Sequence, residues 1–174
     1  LAALSLAACS RRHAPTAIPG AGDRFAALAG LCAGVPPIAA AEHAARRDRA
    51  RALLREAGSS ALLLEAGDAL RYFTGVGWGR SERPLLYVLP ADGRPVLVVP
   101  AFEERTLRAR LLDDDVVVRP WHEHESPYAP LADLNAARLG VDPWTRQFVV
   151  DGARAACGAD ITPATALLRA LRSI

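Results

Sequence analysis

Along this chain, short apolar runs alternate with longer charged stretches. Ala61–Leu64, Leu85–Leu89, Val96–Val99 and the Val116–Val118 portion of Asp115–Arg119 are continuous and apolar, as in strands buried on both faces. The link Ala91-Asp92-Gly93-Arg94 joins the second and third runs. Asp-Gly between apolar runs predicts a hairpin, because glycine accepts the positive φ of such turns. Further short extended pieces are predicted at Leu139–Val141 and Ala159–Ile161, and Pro120 is expected to end the Asp115–Arg119 strand.

Between the runs the pattern changes to a helical one. Ala41–Ala57 (AEHAARRDRARALLREA) is rich in Ala and Arg, turns Leu53 and Leu54 inward, and meets a stop at Gly58. Phe102–Leu112 predicts a helix with Phe102, Thr106, Leu107 and Leu111 on one face. Ser126-Pro127 supplies an N-cap and first-turn pair for a short helix through Ala137. Thr145–Ala156 and a segment opened by Thr162-Pro163 and running through Leu171 complete the set. Strands alternating with helices predict an α/β domain whose sheet is mixed, the hairpin supplying its antiparallel part.

This pattern begins near Ile38. Residues 10–37 are rich in Ala, Pro and Gly and hold no period, which predicts a linker or an irregular packed arm. Residues 1–9 open on LAALSLAAC, an apolar stretch too short to span a membrane and similar to the end of an export signal. Leu6-Ala7-Ala8-Cys9 resembles the bacterial lipoprotein processing box, in which the cysteine (here Cys9) is lipidated. An ordinary export signal cleaved nearby would leave Cys9 incidental. Either predicts an exported protein, periplasmic or lipid-anchored at the bacterial cell envelope; a cytoplasmic protein with an apolar start is the third reading. No Met occurs, even at position 1, and the last helix reaches Ile174 without a Gly or Pro stop, so the chain is expected to be partial.

Composition narrows the function classes. The 174 residues are 51% hydrophobic and 23% charged with a net charge of +2, a globular balance. All 21 basic residues are Arg, dispersed among acids, whereas a nucleic-acid face concentrates its cations. Nucleic acid is therefore not an expected partner, and the membrane is one only through a lipid anchor. Cys32 and Cys157 lie among small apolar residues without CxxC spacing and are expected to be buried, inert thiols.

Candidate chemistry is sparse. A loop punctuated by Gly75, Gly77 and Gly79 carries Trp78, Arg80, Glu82 and Arg83 into the hairpin, the kind of loop on which binding residues sit. Its GxGxG spacing leads to a strand, not a helix, so it lacks a phosphate cradle. His122-Glu123-His124-Glu125 has metal-ligating residue types, with His122 and His124 on one face of an extended segment. A metal needs three or four convergent ligands, and the solvated-loop reading is preferred. Asp113-Asp114-Asp115 precedes a strand and reads as a solvated turn. Ser81 lacks the GxSxG surroundings of a nucleophile. No catalytic or metal-ligating residue is assigned.

The ordered set SALLLEAGDALRYFTG, GWGRSERP, LLYVLPADGRPVLVVPAFEE, RPWHEHESPY, GVDPWTRQFV and ATALLRALRSI closely resembles the N-terminal domain of the creatinase, prolidase and Xaa-Pro aminopeptidase family, over about residues 38–174. The resemblance implies a ribonuclease-H-like three-layer α/β fold, a mixed β-sheet with a hairpin flanked by helices. It implies a non-catalytic domain that aids oligomerisation and substrate access. The parent would be a metal-dependent Xaa-Pro aminopeptidase or dipeptidase acting on proline-containing peptides. Its two divalent ions (Mn, Co or Zn) would sit in a catalytic domain outside this chain. By the same resemblance Arg83 is substrate-proximal across a dimer interface, with Trp78 at the entrance. The local alternative pairs Arg83 with Glu82, Glu103 or Glu104 and folds Trp78 onto the hairpin. The match departs from the family at LADLNAARLGVD, where the helix between Pro127 and Gly140 is short. Two rivals remain beside this reading: a stand-alone binding or dimerisation module that has lost its catalytic half, and a small α/β enzyme using the His122–Glu125 segment.

Overall fold

The computed structural model describes residues 31–112, 115–134 and 136–172. The export and lipidation expectations on residues 1–9, Cys9 included, and the Asp113-Asp114 pair lie outside these. Two compact units divide the chain, Leu1–Pro37 and Ile38–Ile174. Of the first, Leu31–Gly34 forms a turn in which the Val35 N–H donates to the Cys32 carbonyl at 3.2 Å. Cys32 is exposed rather than buried, and both Cys32 and Cys157 are free thiols.

The second unit is built on six strands: β1 (Ala61–Glu65), β2 (Leu86–Pro90), β3 (Val96–Pro100), β4 (Val117–Trp121), β5 (Arg138–Val141) and β6 (Asp160–Pro163). Their order in the sheet is β4-β3-β2-β1-β5-β6. β2 pairs antiparallel with both β1 and β3, and every other neighbouring pair is parallel. The expected hairpin is β2–β3, with Gly93 at φ +102° in its turn. β1 is buried at every position, which explains why its sequence runs continuously apolar instead of alternating.

Helices cover both faces. On one face α1 (Ala40–Glu56), α2 (Asp68–Thr74), α3 (Glu104–Arg108) and α5 (Thr165–Arg172) bring Leu54, Leu70, Phe73, Leu107 and Leu168 onto Leu62, Leu64 and Tyr87. On the other, α4 (Gln147–Cys157) and a 3-10 helix (Ala129–Leu134) bring Val149, Ala153 and Leu131 onto Leu63, Leu86 and Val98. The result is the expected three-layer α/β domain with a mixed sheet. α1 stops where Gly58 permits it. At φ +62° its N–H donates to the Arg55 carbonyl, while the Ser59 N–H donates to that of Leu54, a paired closure that satisfies two orphan carbonyls.

Several expectations need correction. α2 was not foreseen: its seven residues are too few for a visible period, although Gly75 at φ +75° closes it. The predicted 102–112 helix shortens to a 3-10 turn (Ala101–Glu103) and α3, with Leu107 buried but Phe102 and Thr106 exposed. Pro120 and Pro163 lie inside β4 and β6. Both are edge strands, where a missing N–H costs no ladder bond. The Ser126 start yields a turn, its Oγ accepting from the Tyr128 N–H at 3.3 Å and its carbonyl from the Ala129 N–H; only the 3-10 helix follows. α4 begins two residues later than predicted and α5 begins at Thr165.

The 3-10 segment compensates for its brevity by close packing. A Cβ at Gly152 of α4 would overlap the Tyr128 ring. Gly152→Ala should therefore lower stability by about 1–2 kcal/mol in urea unfolding, because overpacking outweighs the gain of roughly 1 kcal/mol in helix propensity. A stabilised variant would show that Tyr128 moves aside freely.

Candidate functional site

Five of the six strands end at the same edge of the sheet, and β2, running the opposite way, starts there. The loops beyond Glu65, Pro100, Trp121, Val141 and Pro163 therefore share one rim with the segment that enters β2 through Arg83 and Pro84. Topology alone brings together the glycine loop, the His-Glu segment and residues after β5. Adjacent strands β1 and β5 send their chains to opposite faces, β1 into α2 and β5 into α4. Such a switch point leaves a crevice beyond the strand ends.

Arg83 sits on this rim in a local network. Its Nε and Nη2 donate to Glu123 Oε1 at 3.1 and 2.6 Å, and Nη1 donates to Glu82. The guanidinium also lies 5.3 Å from the centre of the Phe102 ring, which accounts for a phenyl group left 64% exposed. The Glu123 hydrogen bond and charge hold the Arg83 pKa above its already high ordinary value. Glu82 was among the local partners considered from sequence; Glu123, forty residues on, was not. Trp78 is half-buried against the core, with the Arg110 guanidinium 5.0 Å from its ring centre.

His122 and His124 come together as expected for one face, their rings stacked with centres 5.7 Å apart. The intervening carboxylates are engaged elsewhere. Glu123 holds Arg83, and Glu125 Oε2 accepts the His122 backbone N–H at 2.8 Å. Among the described residues, no three His, Cys, Asp or Glu side chains group so as to hold a metal ion. Asp115 accepts from Arg94 Nε at 2.9 Å. Ser81 Oγ donates to the Arg83 carbonyl and accepts its N–H, both at 3.1 Å, shaping the loop.

The strongest electrostatic feature of the rim is Glu65, which sequence reading passed over. Its side chain is 1% exposed at the end of β1. Arg146 donates to Glu65 Oε1 from Nε at 2.8 Å and also from Nη2, and its backbone N–H reaches Oε2 at 3.3 Å. Arg80 approaches Oε2 at 3.6 Å while its Nε donates to the Ala66 carbonyl at 3.0 Å. The Glu65 charge and, above all, burial push the Tyr128 hydroxyl above its ordinary pKa. A charged residue closing an all-apolar strand was the available signal, but nothing in sequence identifies a partner eighty-one positions away.

With this geometry in view, comparison with known proteins is specific. The model of the Creatinase/Prolidase N-terminal domain matches residues 46–174. An uncharacterized peptidase of Schizosaccharomyces pombe is 32% identical over 146 residues, covering 74% of this chain and 32% of that protein. The dipeptidase PepE of Mycobacterium ulcerans is similar in structure with a TM-score of 0.71 and 31% identity, over 79% of this chain and 38% of that one. The Creatinase/Prolidase N-terminal domain of an X-Pro dipeptidase from Streptococcus pyogenes shares the fold at a TM-score of 0.65 and 19% identity, covering 72% of this chain and 98% of that one. The chain thus spans about a third of the length of the curated relative it matches.

The two ion-pair networks should differ sharply in stability. Arg146→Ala strands a buried carboxylate and is expected to cost about 3 kcal/mol or more in urea unfolding. Arg83→Ala, on an exposed pair, should cost less than about 1 kcal/mol. Equal small losses would mean that water or Arg80 replaces Arg146 at Glu65.

Proposed function

Because the chain belongs to the Creatinase/Prolidase N-terminal domain family, we propose that it is the non-catalytic N-terminal domain of an exported Xaa-Pro peptidase-like hydrolase, where it supports oligomerisation and shapes substrate access. The observation that carries this reading is the extent of the dipeptidase likeness. At 31% identity it takes in 79% of this chain but 38% of the solved dipeptidase. The apolar start LAALSLAAC supports export.

The divalent ions of such an enzyme do not fit the residues described here. The His122–Glu125 carboxylates are occupied by Arg83 and a backbone amide, and no other acid or imidazole converges on the histidines among the described residues. No hydrolytic step is therefore assigned to this chain. Its own contribution is positional. The rim offers Arg83 with Nε and Nη2 both held on Glu123 Oε1 and backed by Phe102, and a substrate carboxylate in place of Glu123 would meet the two nitrogens with its two oxygens.

In a protein carrying this chain together with its catalytic domain, Xaa-Pro dipeptides should be hydrolysed with Mn²⁺, Co²⁺ or Zn²⁺. Arg83→Ala should then raise KM for a free-carboxylate dipeptide about tenfold, roughly the 1.4 kcal/mol of one charge-assisted contact, with kcat little changed. Failure to hydrolyse any Xaa-Pro dipeptide would sink the peptidase reading, and an unchanged KM would remove Arg83 from it. Sedimentation of the 174-residue chain should show a dimer or larger species; a monomer at high concentration would count against the oligomerisation role.

A further inference from the structure

A cleft opens at the switch point between β1 and β5. One lobe, of about 540 Å³, is lined by Gly67, Asp68, Arg80, Asp142, Trp144 and Arg172. A second lobe, of about 670 Å³, shares Asp142, Trp144 and Arg172 and adds Arg169 and Leu168. The backbone is adapted to it: Gly67 has φ +135°, and Arg80 Nη2 lies 3.7 Å from where its Cβ would be. A side chain there would be strained by the positive φ, although its Cβ would only touch the guanidinium at van der Waals distance.

The charges lining the cleft do not neutralise one another. Asp142 is 6% exposed, yet its carboxylate receives one hydrogen bond from the described residues, the Trp144 N–H on Oδ1 at 3.0 Å. No described residue donates to Asp142 Oδ2, and Asp142 lines both lobes. Arg169 and Arg172 line the same space, and among the described residues neither is paired with an acid; Arg172 only grazes the Tyr72 ring at 5.9 Å. Arg80 is anchored through Nε, with its side chain 40% exposed. Trp144 stands 75% exposed between the two lobes, although an indole is costly to leave in water.

A largely buried carboxylate with a vacant oxygen favours an ammonium donor and repels a simple anion. Arg169 and Arg172, without an acid partner among the described residues, together with the outer nitrogens of Arg80, whose Nε is engaged by Ala66 and Glu65, favour a carboxylate. An open indole face favours an apolar side chain. We propose that this cleft is a binding site for a free amino-acid zwitterion with an apolar or aromatic side chain. The ammonium group sits on Asp142, the carboxylate on Arg172 and Arg80, and the side chain on Trp144. This site is independent of the peptidase reading and requires no hydrolysis.

Calorimetric titration of the whole 174-residue chain tests it with three probes. L-Phenylalanine carries both charges, hydrocinnamate lacks the ammonium group, and phenethylamine lacks the carboxylate. L-Phenylalanine should saturate the chain with a Kd on the order of 1 mM, and each analogue should bind about tenfold more weakly or worse. Asp142→Asn should weaken L-phenylalanine about tenfold and bind hydrocinnamate as tightly as the parent or more tightly, since the repelling charge is gone. Because Asp142 also holds the Trp144 amide, the exposed Arg172→Gln variant provides a second reading, with circular dichroism confirming its fold. It should weaken both L-phenylalanine and hydrocinnamate, but not phenethylamine. The proposal fails if L-phenylalanine does not saturate, if hydrocinnamate binds as tightly as L-phenylalanine, or if the folded Arg172→Gln chain binds L-phenylalanine like the parent.

Discussion

A carboxylate buried at the end of the central strand must be neutralised, and much of the rim follows from that requirement. Glu65 lies at the end of β1 with 1% of its side chain exposed. Leaving such a charge uncompensated costs several kcal/mol, a substantial part of a domain's net stability. Arg146 meets it with side chain and backbone together. To do so Arg146 takes an extended conformation, φ −62° and ψ 141°, and α4 starts only after it. Arg80 is drawn in from the other side and tied to the Ala66 carbonyl. One acidic residue thereby fixes where a helix begins and how the glycine loop crosses the sheet.

The two ends of the sheet solve different problems. At the hairpin end, charges are matched at the surface. Arg55 donates to Asp92 and the Ala91 carbonyl, Arg51 to the Gly93 carbonyl, and Arg94 to Asp115. Each exposed pair contributes little alone, but Arg51 and Arg55 seat the turn on α1 while Arg94 ties it to the approach to β4. At the opposite end, arginines meet aromatic rings instead: Arg83 with Phe102, Arg110 with Trp78, and Arg146 with Phe148. With no Lys in the chain, every side-chain cation can stack flat in this way. The rim therefore stacks guanidinium groups on aromatic rings while Glu123 and Glu65 balance the charges of Arg83 and Arg146.

The centre of the sheet was legible in the sequence because β1, β2 and β3 are continuous apolar runs, and the Asp92-Gly93 link fixed the hairpin. α1 was legible through its composition and the Gly58 stop. Legibility ended where tertiary contacts overrule local preference. Phe102 belongs to an apolar face by spacing, yet it lies outside under Arg83. Ser126-Pro127 has the chemistry of a helix start, but Tyr128 packs against Gly152 and only a 3-10 helix follows. In the candidate sites the individual residue types could be read, while their partners could not. Glu123 for Arg83, Arg146 for Glu65 and Asp142 for the cleft are brought together by strand order, a property that no short window of sequence contains.

The last helix is attached to more than the sheet. α5 holds to the sheet through Leu168 and Leu171, and the Tyr72 hydroxyl donates across ninety-nine positions to the Leu171 carbonyl at 2.8 Å. The end of α5 is therefore tied to α2 as well as to the sheet, and α2 is joined in turn to β1 and to the glycine loop that bears Trp78, Arg80 and Arg83.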